Sequence, residues 1–177
     1  KQSLVPSQAE NDMKIHRLRC VALVLLFTPL AVFGKDVITQ RSVGMELARD
    51  LAQAAVDVCR ERGWQVTAVV VNRAGDVQAL LRDSLASRYT MQIAREKAEA
   101  VILSGVASSD FRRNRQDIRM EMNHVSGILV LEGGMPIRAG GALIGALGVS
   151  GAPGGDNDEI CAKTALDKLQ ERLEFAE

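Results

Sequence analysis

Two hydrophobic periods alternate along the chain. Val43, Leu47, Leu51, Ala54, Ala55 and Val58 recur at helical spacing, so residues 41–62 read as an amphipathic helix that Gly63 stops. Residues 66–72 are a continuous β-branched run, the pattern of a buried strand. Residues 77–82 return across the turn Arg73-Ala74-Gly75-Asp76 and complete a hairpin. Met91, Ala94, Ala98, Val101 and Ile102 mark the inner face of a helix over 87–105, and a far more polar helix follows over 108–122. Residues 123–134 connect onward, with a short strand at 128–131. Two apolar runs, 135–139 and 142–150, meet at Gly140-Gly141 and predict a second tight hairpin. Ala162, Leu166, Leu169 and Leu173 stripe a last helix, opened by Asp156 as N-cap with Glu159 as its capping-box partner. Hairpins in place of crossover units predict an α+β fold, an antiparallel sheet with helices packed on it.

The second hairpin is unusual in composition. Residues 133–156 hold 9 of the chain's 15 glycines. Glycine weakens a strand, so a strand keeps it where another backbone or a flat ligand must come close.

The N-terminus changes the domain picture. From Met13 the chain reads as a basic stretch (Lys14, Arg17, Arg19), an apolar run over 21–33 broken by Pro29, and then Gly34. That is the layout of a secretory signal peptide over 13–34, with 1–12 an upstream or added extension and 35–177 a single domain. The apolar run is short for a membrane span, so none is expected after cleavage. The domain is expected in the periplasm or secreted. Residues 35–177 carry 18 Lys and Arg against 20 Asp and Glu, a net charge of −2, which argues against nucleic acid as a partner. Cys59 and Cys161 each fall in an apolar helical pattern and read as two buried free thiols, although an exported chain could oxidise them.

Candidate chemistry is sparse. The sequence has no P-loop, HExxH, CxxC or GxSxG motif, and no acid–base constellation argues for an enzyme. His124 is the one histidine of 35–177, and imidazole is a natural axial ligand of haem iron; the Tyr89 phenolate is another. Arg112, Arg115 and Arg119 fall on one helix face and could pair with carboxylates such as porphyrin propionates, or with the acids interleaved among them. Glu96 with Glu99, and Asp156 with Glu159, place two hard oxygen donors at i, i+3, a pattern suited to iron.

Three stretches carry a resemblance: GWQVTAVVVNRAGDVQALLRD, IAREKAEA and LEGGMPIRAGGALIGALGVSGAPGGDNDEICAKTALDKL. Together they resemble the GlcG/HbpS-like family over most of 41–173. The resemblance implies a profilin-like sheet of about five strands between helical layers, and a homo-oligomer. It also implies binding of haem or iron, with a role in haem sensing, handling or degradation. Arg88 stands about where some relatives carry histidine, which shifts the candidate ligands here to His124 and Tyr89. On this reading an apolar groove forms between 85–91 and the glycine hairpin, where Gly134 and Gly148 admit a flat macrocycle and Arg88, Arg112 and Arg119 hold its propionates. The competing reading is a cofactor-free oligomeric scaffold, and a weaker one is a haem-degrading enzyme.

Overall fold

The computed structural model describes residues 36–122 and 124–175, so the signal-peptide reading of 13–34 lies outside the described residues. The described residues from 39 onward form one compact unit. This unit runs α1 (Met45–Glu61), β1 (Thr67–Asn72), β2 (Val77–Arg82), α2 (Thr90–Ser104), α3 (Ser108–Asn114), α4 (Arg119–Met122), β3 (Gly134–Ala139), β4 (Ala142–Ser150), α5 (Gly155–Lys168) and α6 (Gln170–Glu174). The strands make one antiparallel sheet in the order β2-β1-β4-β3, so the two hairpins join along β1 and β4.

Strand alternation sorts the core into two layers. Ala68 and Val70 of β1 and Leu147 and Val149 of β4 pack on one face, with Leu51, Ala55 and Val58 of α1 and Ala162 and Ala165 of α5. Val69, Val71 and Ala146 point the other way, onto Ala94, Ala98 and Val101 of α2. Helices therefore cover both faces. A disulfide between Cys59 and Cys161 ties α1 to α5 within the first layer, which corrects the expectation of free thiols. The reason is geometric: both cysteines sit on the inward stripes of helices packed on each other, with Cα atoms 5.5 Å apart, within bridging range.

The sheet has four strands among the described residues, not about five. The expected strand at 128–131 is absent because that segment runs along α2: the Leu129 N–H donates to the Glu96 carbonyl at 3.3 Å, and Val130 is buried beside Ala100 and Phe111. The polar helix expected over 108–122 is two short helices. The chain turns at 115–118, where the Arg115 guanidinium bonds both carboxylate oxygens of Asp117, a pairing between side chains two residues apart that do not share a helix face. The last helix opens at Gly155 with Gly154 as N-cap and no side-chain capping bond. Asp156 is exposed there, while Glu159 accepts from Ser109 Oγ at 2.7 Å and the Gly133 N–H at 3.4 Å, which replaces the expected capping box.

Two of the strand glycines owe their place to α2. Gly134 and Gly148 are cross-strand partners on β3 and β4. A Cβ at Gly148 would lie 1.9 Å from the Ala94 carbonyl oxygen, and one at Gly134 would lie 2.5 Å from that of Lys97. The helix backbone therefore rests on a strip of sheet without side chains. The approach these glycines permit is that of the chain's own helix, so they do not line an open groove for a macrocycle.

Candidate functional site

Two clefts flank α2. The first, of about 300 Å³, lies where the glycine loop 151–155 meets Ile93, Lys97, Arg112, Leu131 and Asp158. Its floor is a buried ion pair. Lys97 Nζ sits 2.7 Å from Asp158 Oδ2 and 3.0 Å from the Val149 carbonyl, and Asp158 Oδ1 accepts from the Ala152 N–H at 2.9 Å. Burial pushes the Asp158 carboxyl above its ordinary value, and the Lys97 ammonium pulls it back. Each donor of Lys97 and each oxygen of Asp158 that is buried has a partner, so the pair fastens α2 to α5 and β4 and is not poised for chemistry. Arg112 stands at the rim, 3.9 Å from Glu132.

The second cleft is larger and drier. It encloses about 460 Å³ between the C-terminal end of α2 and the α3–α4 pair, walled by Leu103, Val106, Phe111, Ile118 and Met122, with Arg115 at its edge. Gly105, in the left-handed region at φ +74°, ends α2 and lets the chain reverse over its own last turn. Phe111 anchors α3 from beneath, and Met122 packs half-buried on the same Ala100, Phe111 and Val130 cluster. A mostly apolar hollow with one cation at its mouth is the usual make-up of a small-molecule site.

Asp156 and Glu159 line one further hollow with Glu132, Arg113 and Lys163, and the remaining predicted residues do not converge. Arg88 and Tyr89 lie at the N-terminal start of α2, with the guanidinium carbon 5.0 Å from the phenol ring centre, and Tyr89 is exposed. Fourteen residues separate Tyr89 from Leu103, about 20 Å along a helix. His124 is exposed on the turn after α4, its backbone N–H bonded to the Glu121 carbonyl. Arg119 is half-buried at the start of α4. Glu96 accepts from Gln92 at 2.8 Å and Glu99 pairs with Arg95 at 2.7 Å on α2. Among the described residues no group of three or more His, Cys, Asp or Glu side chains is placed to hold a metal. No described helix is long and apolar enough to cross a membrane. Met122 was not among the candidates: it stands between Glu121 and Asn123 in a polar stretch, where no motif or spacing marks a methionine as a ligand.

The model of the family described as "Haem degrading protein HbpS-like" matches residues 43–167. The chain belongs to the HbpS-like family. Its fold is that of HbpS, whose crystal structure it matches at 29% identity with TM-score 0.72, covering 79% of this chain and 99% of that one. A Streptomyces reticuli HbpS in which two glutamates three positions apart are changed to aspartate matches at 30% identity and TM-score 0.71, covering 80% and 96%. The PduOC–haem complex shares the fold at 22% identity and TM-score 0.65, covering 71% and 94%. No curated protein matches the chain.

Haem fits the second cleft by the chemistry of its lining. Apolar walls suit the porphyrin faces, a thioether and an arginine are known partners of haem iron and propionate, and the Arg115–Asp117 pair that competes for the arginine is surface-exposed. An exposed pair of that kind is worth at most about 1 kcal/mol, so a propionate can displace it.

Proposed function

We propose that this chain is an exported haem-binding protein that acts in haem and iron handling, assembled as a homo-oligomer in the periplasm or outside the cell. The dry cleft between α2 and the α3–α4 pair carries the reading: it is the largest and most apolar hollow described, and an arginine stands at its mouth. Membership of a family described by haem degradation supports it, as does a haem complex on the same fold. Haem supplies an iron that can coordinate a side chain. The protein's part is to cover the macrocycle faces with Leu103, Val106, Phe111 and Ile118 and to neutralise a propionate with Arg115.

Export is supported by the layout of residues 13–34 and by the Cys59–Cys161 bridge, since disulfides persist in oxidising compartments. Self-association is supported by the edge strand β2, which leaves Val77 and Leu80 about 40% exposed. Glu96 and Glu99 have the spacing of the glutamate pair altered in the Streptomyces reticuli variant, and we extend the reading to iron held there. Two carboxylates are an incomplete ligand set, so water or a second chain completes it.

Titration of the purified chain with haem tests the proposal. A saturable Soret shift at micromolar haem is expected, and its absence at these concentrations sinks the reading. The same sample under ascorbate and air separates holding from degradation: a stable Soret band means storage or transfer, and its loss with release of iron means a degrading activity.

A further inference from the structure

We infer that the Met122 thioether is the axial ligand of haem bound in the dry cleft, with Arg115 pairing a propionate at its rim; this rests on the haem-binding reading above. Thioether, imidazole, phenolate and thiolate are the side chains that hold haem iron. Among the side chains lining the cleft, Met122 is the one of that class. The alternatives lie elsewhere. Tyr89 is about 20 Å away at the opposite end of α2, His124 is exposed and outside the cleft wall, and Cys59 and Cys161, the cysteines among the described residues, are joined in a disulfide in the opposite layer.

The local fold holds Met122 in place. The helix that carries it, α4, is a single turn, Arg119–Met122, hung from Ile118 by the Met122 N–H at 3.0 Å. Met122 rests against Ala100, Phe111 and Val130 while also forming part of the cleft wall. Arg115 lies at the turn before α4, so both residues sit on one short segment that lines one hollow. Methionine often serves only to fill irregular gaps in a core, and leucine does that nearly as well. Coordination of iron needs the sulfur, which leucine lacks.

The test compares the wild-type chain with Met122→Leu, Met122→His and His124→Ala by haem titration and by ferric and ferrous absorbance spectra. Met122→Leu conserves volume; it is expected to weaken binding about tenfold or more and to remove the thioether charge-transfer band of the ferric form. Met122→His supplies a stronger ligand at the same place, so tight binding with an imidazole-type spectrum is expected. His124→Ala is expected to leave spectrum and affinity unchanged. A Met122→Leu chain with wild-type spectrum and affinity overturns the inference and leaves haem binding intact, as does a His124→Ala chain that alone loses the axial signature. A wild-type chain with no Soret response removes the haem-binding reading itself.

Discussion

At the scale of single residues, the informative glycine is Gly148. An alanine there would place its Cβ 1.9 Å from the Ala94 carbonyl oxygen, closer than non-bonded atoms can approach, so α2 would have to lift from the sheet. Overpacking of this kind costs about 1–3 kcal/mol or more. Gly141 makes the control. It sits at φ +79° in the hairpin turn with nothing within 4 Å of a Cβ, so alanine there adds only the strain of a left-handed residue, about 1–2 kcal/mol. Urea unfolding is expected to show the larger loss for Gly148→Ala, together with exposure of the α2 face; equal midpoints for the two variants would mean that α2 does not rest on this strip. The excess of glycine was legible in the sequence, and so was its location in strands. What approaches the bare strip was not, because a missing side chain marks a face without naming the element that covers it. Ala94 and Ala98, spaced one helical turn apart on α2, are the complementary signal, since small residues on the helix allow the same close approach.

At the scale of elements, the helix–hairpin–helix order follows directly from the two hydrophobic periods, and the ends of α1, β1, β2 and β4 fall within a few residues of where the pattern puts them. The errors share a cause. The segment 128–131 has a strand's composition and 108–122 a helix's, but each is settled by tertiary partners: the α2 carbonyl of Glu96 for the first and the Phe111 anchor for the second. Short elements depend on such partners more than on propensity. The Arg60–Asp83 pair shows a further link between elements, joining α1 to the end of β2 at 3.0 Å. The Arg60 guanidinium holds the Asp83 carboxyl below its ordinary value. A lowered folded-state value means that Asp83 adds stability above its unfolded value of about 3.9 and loses it as pH falls through the folded one. Asp158 has the opposite sign: burial raises its folded value, so its contribution is complete in acid and declines as pH rises. Asp50 and Asp117 are also lowered, but by surface pairs that salt screens. In high salt, the wild-type melting temperature is therefore expected to fall on acidification below about pH 4, and Asp83→Asn to fall less steeply. Parallel curves for the two chains would show that Asp83 is not held by Arg60 in solution.

At the scale of the whole molecule, the candidate haem cleft and the disulfide lie in opposite layers of the sheet, which separates function from stability in a testable way. Cys59 and Cys161 are 102 residues apart and fully buried between α1 and α5. Closing so long a loop restricts the unfolded chain, and chain-entropy reasoning sets the gain near 5 kcal/mol, with 2–5 kcal/mol usual when a native bridge is removed from a small secreted domain. Replacing both cysteines by alanine also leaves a small void in the core, which adds to the loss. For a domain of this size such a loss lowers the melting temperature by roughly 10–20 °C. Because the sulfurs are buried, a reducing agent is expected to leave the native bridge intact and to cleave it only when urea opens the fold. Mass spectrometry after alkylation reads both results: no labelled cysteine of this pair in native reductant, and two labelled in reductant with urea. The α2–α3–α4 cleft sits across the sheet from the bridge, so the double alanine variant, below its lowered melting temperature, is expected to bind haem with the wild-type spectrum. A variant that stays folded but loses haem binding would place the site on the α1–α5 side and move it out of this cleft, while a melting temperature unchanged by the double substitution would mean that the bridge does not form in the native chain.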